Sequence, residues 1–315
     1  MIDILDFNVN HIEQAEKIAL LNYNEERAIV SDLPAVDNIP DLTRFAENNL
    51  GIAAFDNGKM LGFLCCFKPW DNAFKSTARG TFSPIHAHGA VKENRGLIYK
   101  RLYEAAAEKW VKEKIIYHAI ALYSHDSDAV DAFFTYGFGM RCIDAIRSME
   151  VIDAKNCDGI IFRKLPQNEP EKIRSLRRML LNHLGCSPCF LDSSEESFNA
   201  WIVNVEKRDT QIFAAFGNGE PIAYIEIAET GENFATKADD MLNICGAFCL
   251  SEFRGRGVYQ NLLNDAISTL KVEGYTKLGV DFESFNPTAA HFWLKYFTPY
   301  TKSVVRRIDE CAIRD

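Results

Sequence analysis

No run of about 18 consecutive apolar residues occurs in the 315-residue chain, and no basic N-terminal region precedes an apolar core. Neither membrane insertion nor secretion is therefore expected, and the default location is cytoplasmic. Positive charge is also scarce. Lysine and arginine number 35 against 44 aspartates and glutamates, a formal net charge of −9. That balance argues against nucleic acid as a partner and is compatible with a small amine substrate. The nine cysteines lack an even count and a framework spacing, so most are expected to be small buried residues in a reducing compartment. Cys186 and Cys189, with His183 nearby, have metal-ligand or redox spacing, but further ligands at matching spacing are missing and no metal is expected. Two phosphate-binding turns are absent as well. Nothing fits the Walker spacing of Gly-Lys-Ser/Thr, and the dinucleotide fingerprint lacks its third glycine and later acidic residue.

Apolar residues make up 47% of the chain and charged ones 25%, an ordinary globular balance, and the length suits two domains of about 150 residues each. The most informative stretch is Glu252-Phe253-Arg254-Gly255-Arg256-Gly257-Val258-Tyr259. Upstream, Leu242 to Leu250 has the length and apolar density of a buried strand; downstream, Val258, Leu262, Leu263, Ala266, Ile267 and Leu270 recur at helical spacing. A glycine turn opening a helix gathers unpaired N–H groups and the positive end of the helix dipole, which suits a phosphate. Gly255 and Gly257 permit close approach, and Arg254 and Arg256 add charge. The plainer alternative is a tight turn with a basic rim.

Along the chain, a strand over Ile2 to Val9 and a helix from His11 to Ala28 capped by Asn10 are expected, then a hairpin around Asp56-Asn57-Gly58. A strand over Ile85 to Val91, a helix Leu97 to Lys112, a strand Tyr117 to Leu122, a short helix and a strand Met140 to Met149 complete the first half. The second half repeats this order: a strand Ile160 to Arg163, helices Glu169 to Leu184 and Ser194 to Val205 (the latter capped by Ser193), and a hairpin at Gly217-Asn218-Gly219. The motif strand and helix come next, followed by a strand Lys277 to Phe282, a helix Thr288 to Tyr296 and a strand Ser303 to Ile308. An offset of 160 aligns Tyr99–Arg147 with Tyr259–Arg307 without a gap, with eight identities in 49 positions. Ala53 to Gly58 also matches Ala214 to Gly219 at five of six positions. Duplication follows, with repeats at 1–155 and 156–315. The first repeat is three residues shorter in the turn, where Lys92 to Ile98 lack paired glycines, so it should hold phosphate poorly.

The turn resembles motif A of the GNAT acetyltransferases, Arg/Gln-x-x-Gly-x-Gly/Ala, with Arg254 and Gly257 in the first fixed positions and Tyr259 in place of the small last residue. Motif B of that family, Asn-x-x-Ala-x-x-Phe-Tyr, is matched by Asn286, Ala289 and Phe292, whereas Trp293 replaces the tyrosine. The resemblance implies an α/β (α+β) chain of two tandem GNAT-like domains, each a central mixed sheet flanked by helices, the first copy degenerate. It further implies acetyl-CoA as cosubstrate, held by Phe248, Cys249, Leu250, Arg254, Gly255, Arg256, Gly257, Val258, Tyr259 and Asn286, and direct acetyl transfer to a small-molecule or peptide amine by a monomer or homodimer. An indole cannot replace the acid tyrosine near neutral pH, so Tyr296, one helical turn on, is the expected proton donor to the thiolate. Glu226 and Glu283 are the candidate bases by position, each otherwise a solvated surface residue. A chain that has lost catalysis and only senses or scaffolds acyl-CoA is the rival reading. In the first half, His86, His88, His118 and His125 gather on or near neighbouring strands, read as structural histidines, a ligand pocket or a metal site.

Overall fold

A computed structural model describes residues 2–166, 169–207, 210–229 and 231–313. The first half carries β1 (Asp3–Asp6), α1 (Ile12–Ile29), α2 (Thr43–Ala46), β2 (Ile52–Asp56), β3 (Lys59–Leu64), β4 (Gly80–Ser83), β5 (His88–Ala90), α3 (Arg95–Lys112), β6 (Tyr117–Tyr123), α4 (Ser127–Thr135) and β7 (Gly139–Ser148). After these follow β8 (Ile160–Lys164), α5 (Arg174–Gly185), α6 (Glu195–Glu206), β9 (Thr210–Gly217), β10 (Glu220–Ala228), β11 (Met241–Cys249), α7 (Val258–Val272), β12 (Lys277–Glu283), α8 (Pro287–Tyr296) and β13 (Thr301–Arg307).

The chain divides into two compact mixed α/β units, residues 1–143 with 299–315, and residues 144–298. These differ from the proposed sequence repeats because the last strand of the second repeat, β13, lies in the first unit, and residues 144–155 lie in the second. In the first unit β1–β2–β3–β5 form an antiparallel sheet, and β6 pairs with β4 in parallel and with β13 antiparallel. Its core packs the α3 stripe of Ile98, Leu102, Ala106 and Trp110 against Ile120, Leu122 and Val304. That stripe follows the three-to-four-residue spacing that brings side chains onto one helix face.

In the second unit the strand order is β7–β12–β11–β10–β9–β8, with β7 entering from Asp144. The apolar positions expected on the motif helix, Val258, Leu262, Leu263, Ala266, Ile267 and Leu270, are all buried. Leu165, Ile173, Leu176, Ile212, Ala214, Phe216 and Tyr224 form a second cluster around the start of α5. Two expected caps are displaced. Asn8, not Asn10, closes a capping box with His11 ahead of α1, and Ser194, not Ser193, accepts the Ser197 amide at the start of α6. The strand β4 was not expected, since Gly80-Thr81-Phe82-Ser83 lacks a clear alternation.

Candidate active site

β11 and β12 are parallel partners over only four rungs, from Met241↔Lys277 to Ile244↔Val280. Past that point Gly246–Cys249 has no β12 partner among the described residues, while its other edge stays paired with β10. A β-bulge lies at the point of separation: Glu226 faces Gly246 and Ile227 faces Ile244, which leaves Cys245 as the extra residue. Such a gap exposes backbone groups of β11 to anything laid along it.

At the far end of β11 the chain turns through Gly255 and Gly257, with φ of 71° and 87°. These are left-handed conformations that glycine adopts at no steric cost. Gly257 caps α7, so the first amides of that helix point out of the turn. Arg254 donates from Nε to the Cys249 carbonyl at 2.9 Å and stacks on Phe248; it and Arg256 are both exposed. Leu250 donates its amide to Ile222, and the Cys249 thiol is pushed up to about 11 by burial. Val258 is buried, and Tyr259 packs edge-on to Phe292 at 4.9 Å while its hydroxyl donates to the Tyr224 carbonyl. A segment ahead of β8 runs alongside. Asn264 exchanges two 2.8 Å hydrogen bonds with the Ile152 backbone, Asn261 donates to the Lys155 carbonyl, and the Cys157 thiol donates to the Arg256 carbonyl.

Glu226 is buried rather than solvated, at 1% exposure, and meets Arg177 of α5 at 2.8 Å. Thr210 donates to the same carboxylate oxygen, Oε1. The other oxygen, Oε2, lies 3.0 Å from where a Cβ on Gly246 would stand, and Tyr224 Cε2 lies 3.4 Å from that point. The Tyr224 hydroxyl and Arg177 Nε are buried and find no partner among the described residues.

Asp281 was missed by sequence reasoning. The available signal was a lone carboxylate inside the apolar run Leu278–Phe282. It is the first residue of β12 beyond the last rung. Alternation places it with Gly279, whose missing Cβ faces Asn243 and Met241, and with Glu283. Ala228 pairs with Asn243, so Glu226, two residues before Ala228, lies on that same sheet face. Burial pushes the Asp281 carboxyl well above the ordinary carboxylate range, reinforced by the charges of Glu232, Asp144 and Glu283.

The motif B positions serve the helix itself. Asn286 caps α8, accepting from the Ala289 amide, the Thr288 hydroxyl and His183 Nε2. Trp293 is buried against Phe297 and Tyr259, and the Tyr296 hydroxyl accepts from Gln260 on α7 at 3.4 Å. Cys189 donates to the Phe285 carbonyl.

The same region of the first unit is filled by protein. His88 Nε2 donates across to the Ala121 carbonyl and its Nδ1 accepts from Tyr99, while Asn22 of α1 bonds both the N–H and the C=O of Ala90. At the start of α3, Arg95 is held by Glu25 at 2.7 Å and Asp126 at 3.2 Å. His118 is satisfied separately by Tyr103 and the Ile115 carbonyl, His125 pairs with Glu26, and His86 packs against Phe45. The four histidines thus have separate partners, and among the described residues no group of three or more side chains could hold a metal. Among those residues too, no helix is long and apolar enough to cross a membrane.

Residues 177–297 match the family model described as "Acetyltransferase (GNAT) family". No curated protein matches the chain. A GCN5-related N-acetyltransferase from Sphaerobacter thermophilus superposes with a TM-score of 0.58 at 11% identity, over 97% of this chain and 95% of its own. A GCN5-related glucosamine N-acetyltransferase region of a fungal multi-domain β-N-acetylglucosaminidase reaches 0.50 at 15% identity, over 98% of this chain and 38% of that one. A tandem GNAT protein from the clavulanic acid biosynthesis pathway gives 0.48 at 12% identity, over 97% of each chain. At these identities the likenesses speak to the fold alone; residues 177–297, which hold the strand, turn and helix described above, are a GNAT-family acetyltransferase domain by the family match.

Proposed function

We propose that the chain is an acetyl-CoA-dependent N-acetyltransferase, with the cosubstrate held by the second unit and the acetyl group passed directly to a small-molecule or peptide amine. The observation that carries this reading is the stretch Gly246–Cys249, beyond the last β12 rung and leading into a glycine turn at the α7 N-terminus. The pyrophosphate would meet the α7 amides with Arg254 and Arg256 beside them, and the pantetheine arm would lie along the open edge, past Phe248 and Tyr259. Glu226, with its Oε2 turned to Gly246, is the proposed base; Asn286, a helix cap, supports the site rather than touching CoA. Glu283 is placed beside Asp281 as a contributor of charge. Tyr296 stays a candidate proton donor, although its hydroxyl sits against Gln260 on α7.

Trp293, buried where the family has its tyrosine, favours the second reading, a chain that binds acyl-CoA without transferring the acyl group. Titration calorimetry with acetyl-CoA, followed by thiol release in the presence of a broad amine panel, separates the two. Transfer predicts one bound acetyl-CoA per chain and amine-dependent thiol release; binding alone with every amine tried leaves the sensor reading, and no binding refutes both.

A further inference from the structure

We infer that Lys155 is a further cation of the cosubstrate site, held against the glycine turn by Asn261 of α7 and taking a phosphate of acetyl-CoA. This rests on the reading that the turn binds acetyl-CoA. Lys155 belongs to the segment Ile152–Cys157 of the second unit and lies 106 positions from Asn261 in sequence. Segment and turn are tied together at three places. Asn261 Nδ2 donates to the Lys155 carbonyl at 2.6 Å and to the Gly257 carbonyl at 2.9 Å, so one side-chain amide holds both. Asn264, three residues on and therefore on the same helix face, exchanges two hydrogen bonds of 2.8 Å with the Ile152 backbone. The Cys157 thiol donates to the Arg256 carbonyl at 3.3 Å. The approach is close enough to exclude a side chain at position 257, where a Cβ would stand 3.0 Å from the Lys155 carbonyl oxygen and 3.3 Å from Lys155 Cβ. The lysine side chain is thus rooted on the wall of the turn itself.

Lys155, Arg254 and Arg256 are exposed, and none of them makes an ion pair among the described residues. Of the acids in the same two stretches, Asp158 accepts from Asn156 and Glu252 from Ser251, while Asp153 is exposed two residues before Lys155. Arg254 is tied down through Nε to the Cys249 carbonyl and by its stack on Phe248. Lys155 and Arg256 instead keep free heads on anchored backbones. The amides of one helix terminus suit one phosphate group. Acetyl-CoA carries more, two in its pyrophosphate and one on the 3′ oxygen of its ribose, so cations beside the terminus have further charge to meet. A lysine is a compact charge on a flexible four-carbon stem, which follows a phosphate that no rigid group faces. With its backbone already fixed by α7, little main-chain freedom is lost when it does so.

The test is titration calorimetry on the full chain, at low and high salt, with acetyl-CoA and with acetyl-dephospho-CoA, which lacks the 3′-phosphate. Lys155→Ala should weaken acetyl-CoA binding roughly 5-fold and Lys155→Glu further, with Lys155→Arg within about twofold of the wild type and melting temperatures unchanged. The loss of affinity with added salt should be shallower in Lys155→Ala, a mark of lost charge that a merely structural role would not leave. A deficit that persists with acetyl-dephospho-CoA assigns the lysine to the pyrophosphate; one that vanishes assigns it to the 3′-phosphate. In Asn261→Ala, which frees the segment, removing Lys155 should cost less than in the wild type, and an equal cost in both backgrounds would take Asn261 out of the assignment. Lys155→Glu binding acetyl-CoA as tightly as the wild type would overturn the inference and leave the acetyl-CoA reading standing. A wild type that binds no acetyl-CoA removes that reading and this inference together.

Discussion

Arg177 and Glu226 form an ion pair with 2% and 1% exposure, 49 positions apart in sequence. Removing one partner of such a pair strands the other charge in a low-dielectric site, so Arg177→Ala is expected to lower unfolding free energy by about 3–5 kcal/mol, measured by urea denaturation. Adding Glu226→Leu to that variant should recover part of the loss; full additivity would show that the pair is not coupled. Asp281 predicts the opposite sign. A carboxyl raised above its unfolded value contributes less stability as pH climbs from the unfolded value through the folded one, because the folded chain holds a proton that the unfolded chain has released. Asp281→Asn should therefore melt higher than the wild type at pH 8, with the gap narrowing toward pH 4. Neither effect was legible beforehand: glutamate on a hairpin reads as solvated until its distant arginine is known, and one aspartate in an apolar strand reads as an edge residue.

Most elements were legible because periodicity is a local property, and the α7 stripe, both hairpins and the glycine turn lie where spacing put them. Caps slipped by one or two positions where polar residues of similar type compete, as at Asn8 and Asn10 or Ser193 and Ser194. The segment beside α7 was invisible, since nothing in Ile152–Cys157 signals that Asn261 and Asn264 will grip its backbone. It also changes which substitution best probes the turn. A Cβ at Gly257 would stand 3.0 Å from the Lys155 carbonyl oxygen at a φ of +87°, so Gly257→Asp strains the backbone as well as repelling phosphate. Arg256 is exposed, and Arg256→Glu should weaken acetyl-CoA binding by about 1.5–3 kcal/mol with little change in melting temperature. Equal affinity in calorimetry would mean that the pyrophosphate is held elsewhere.

The offset of 160 is the ground for the proposed duplication, whereas the composition of the compact units was not readable, because strand pairing over more than 150 positions leaves no local trace. The first unit has its own pH dependence. Burial lowers His88 and His118 to about 4, so both are neutral in the fold; as pH falls from 6.5 toward 4 the unfolded chain takes up protons first, and stability is lost across that window. Each should cost of order 3 kcal/mol once fully crossed, and denaturation curves at pH 7 and pH 4.5 should differ less in His118→Gln than in the wild type. Finally, β13 lies between β6 and β7 in the first unit. On the ribosome, residues 1–143 emerge well before 299–315, and at about 5–20 residues per second the delay is roughly ten to thirty seconds. For that interval the apolar strand Tyr117–Tyr123 presents an unzipped edge, the kind of template on which a strand of another nascent chain can pair.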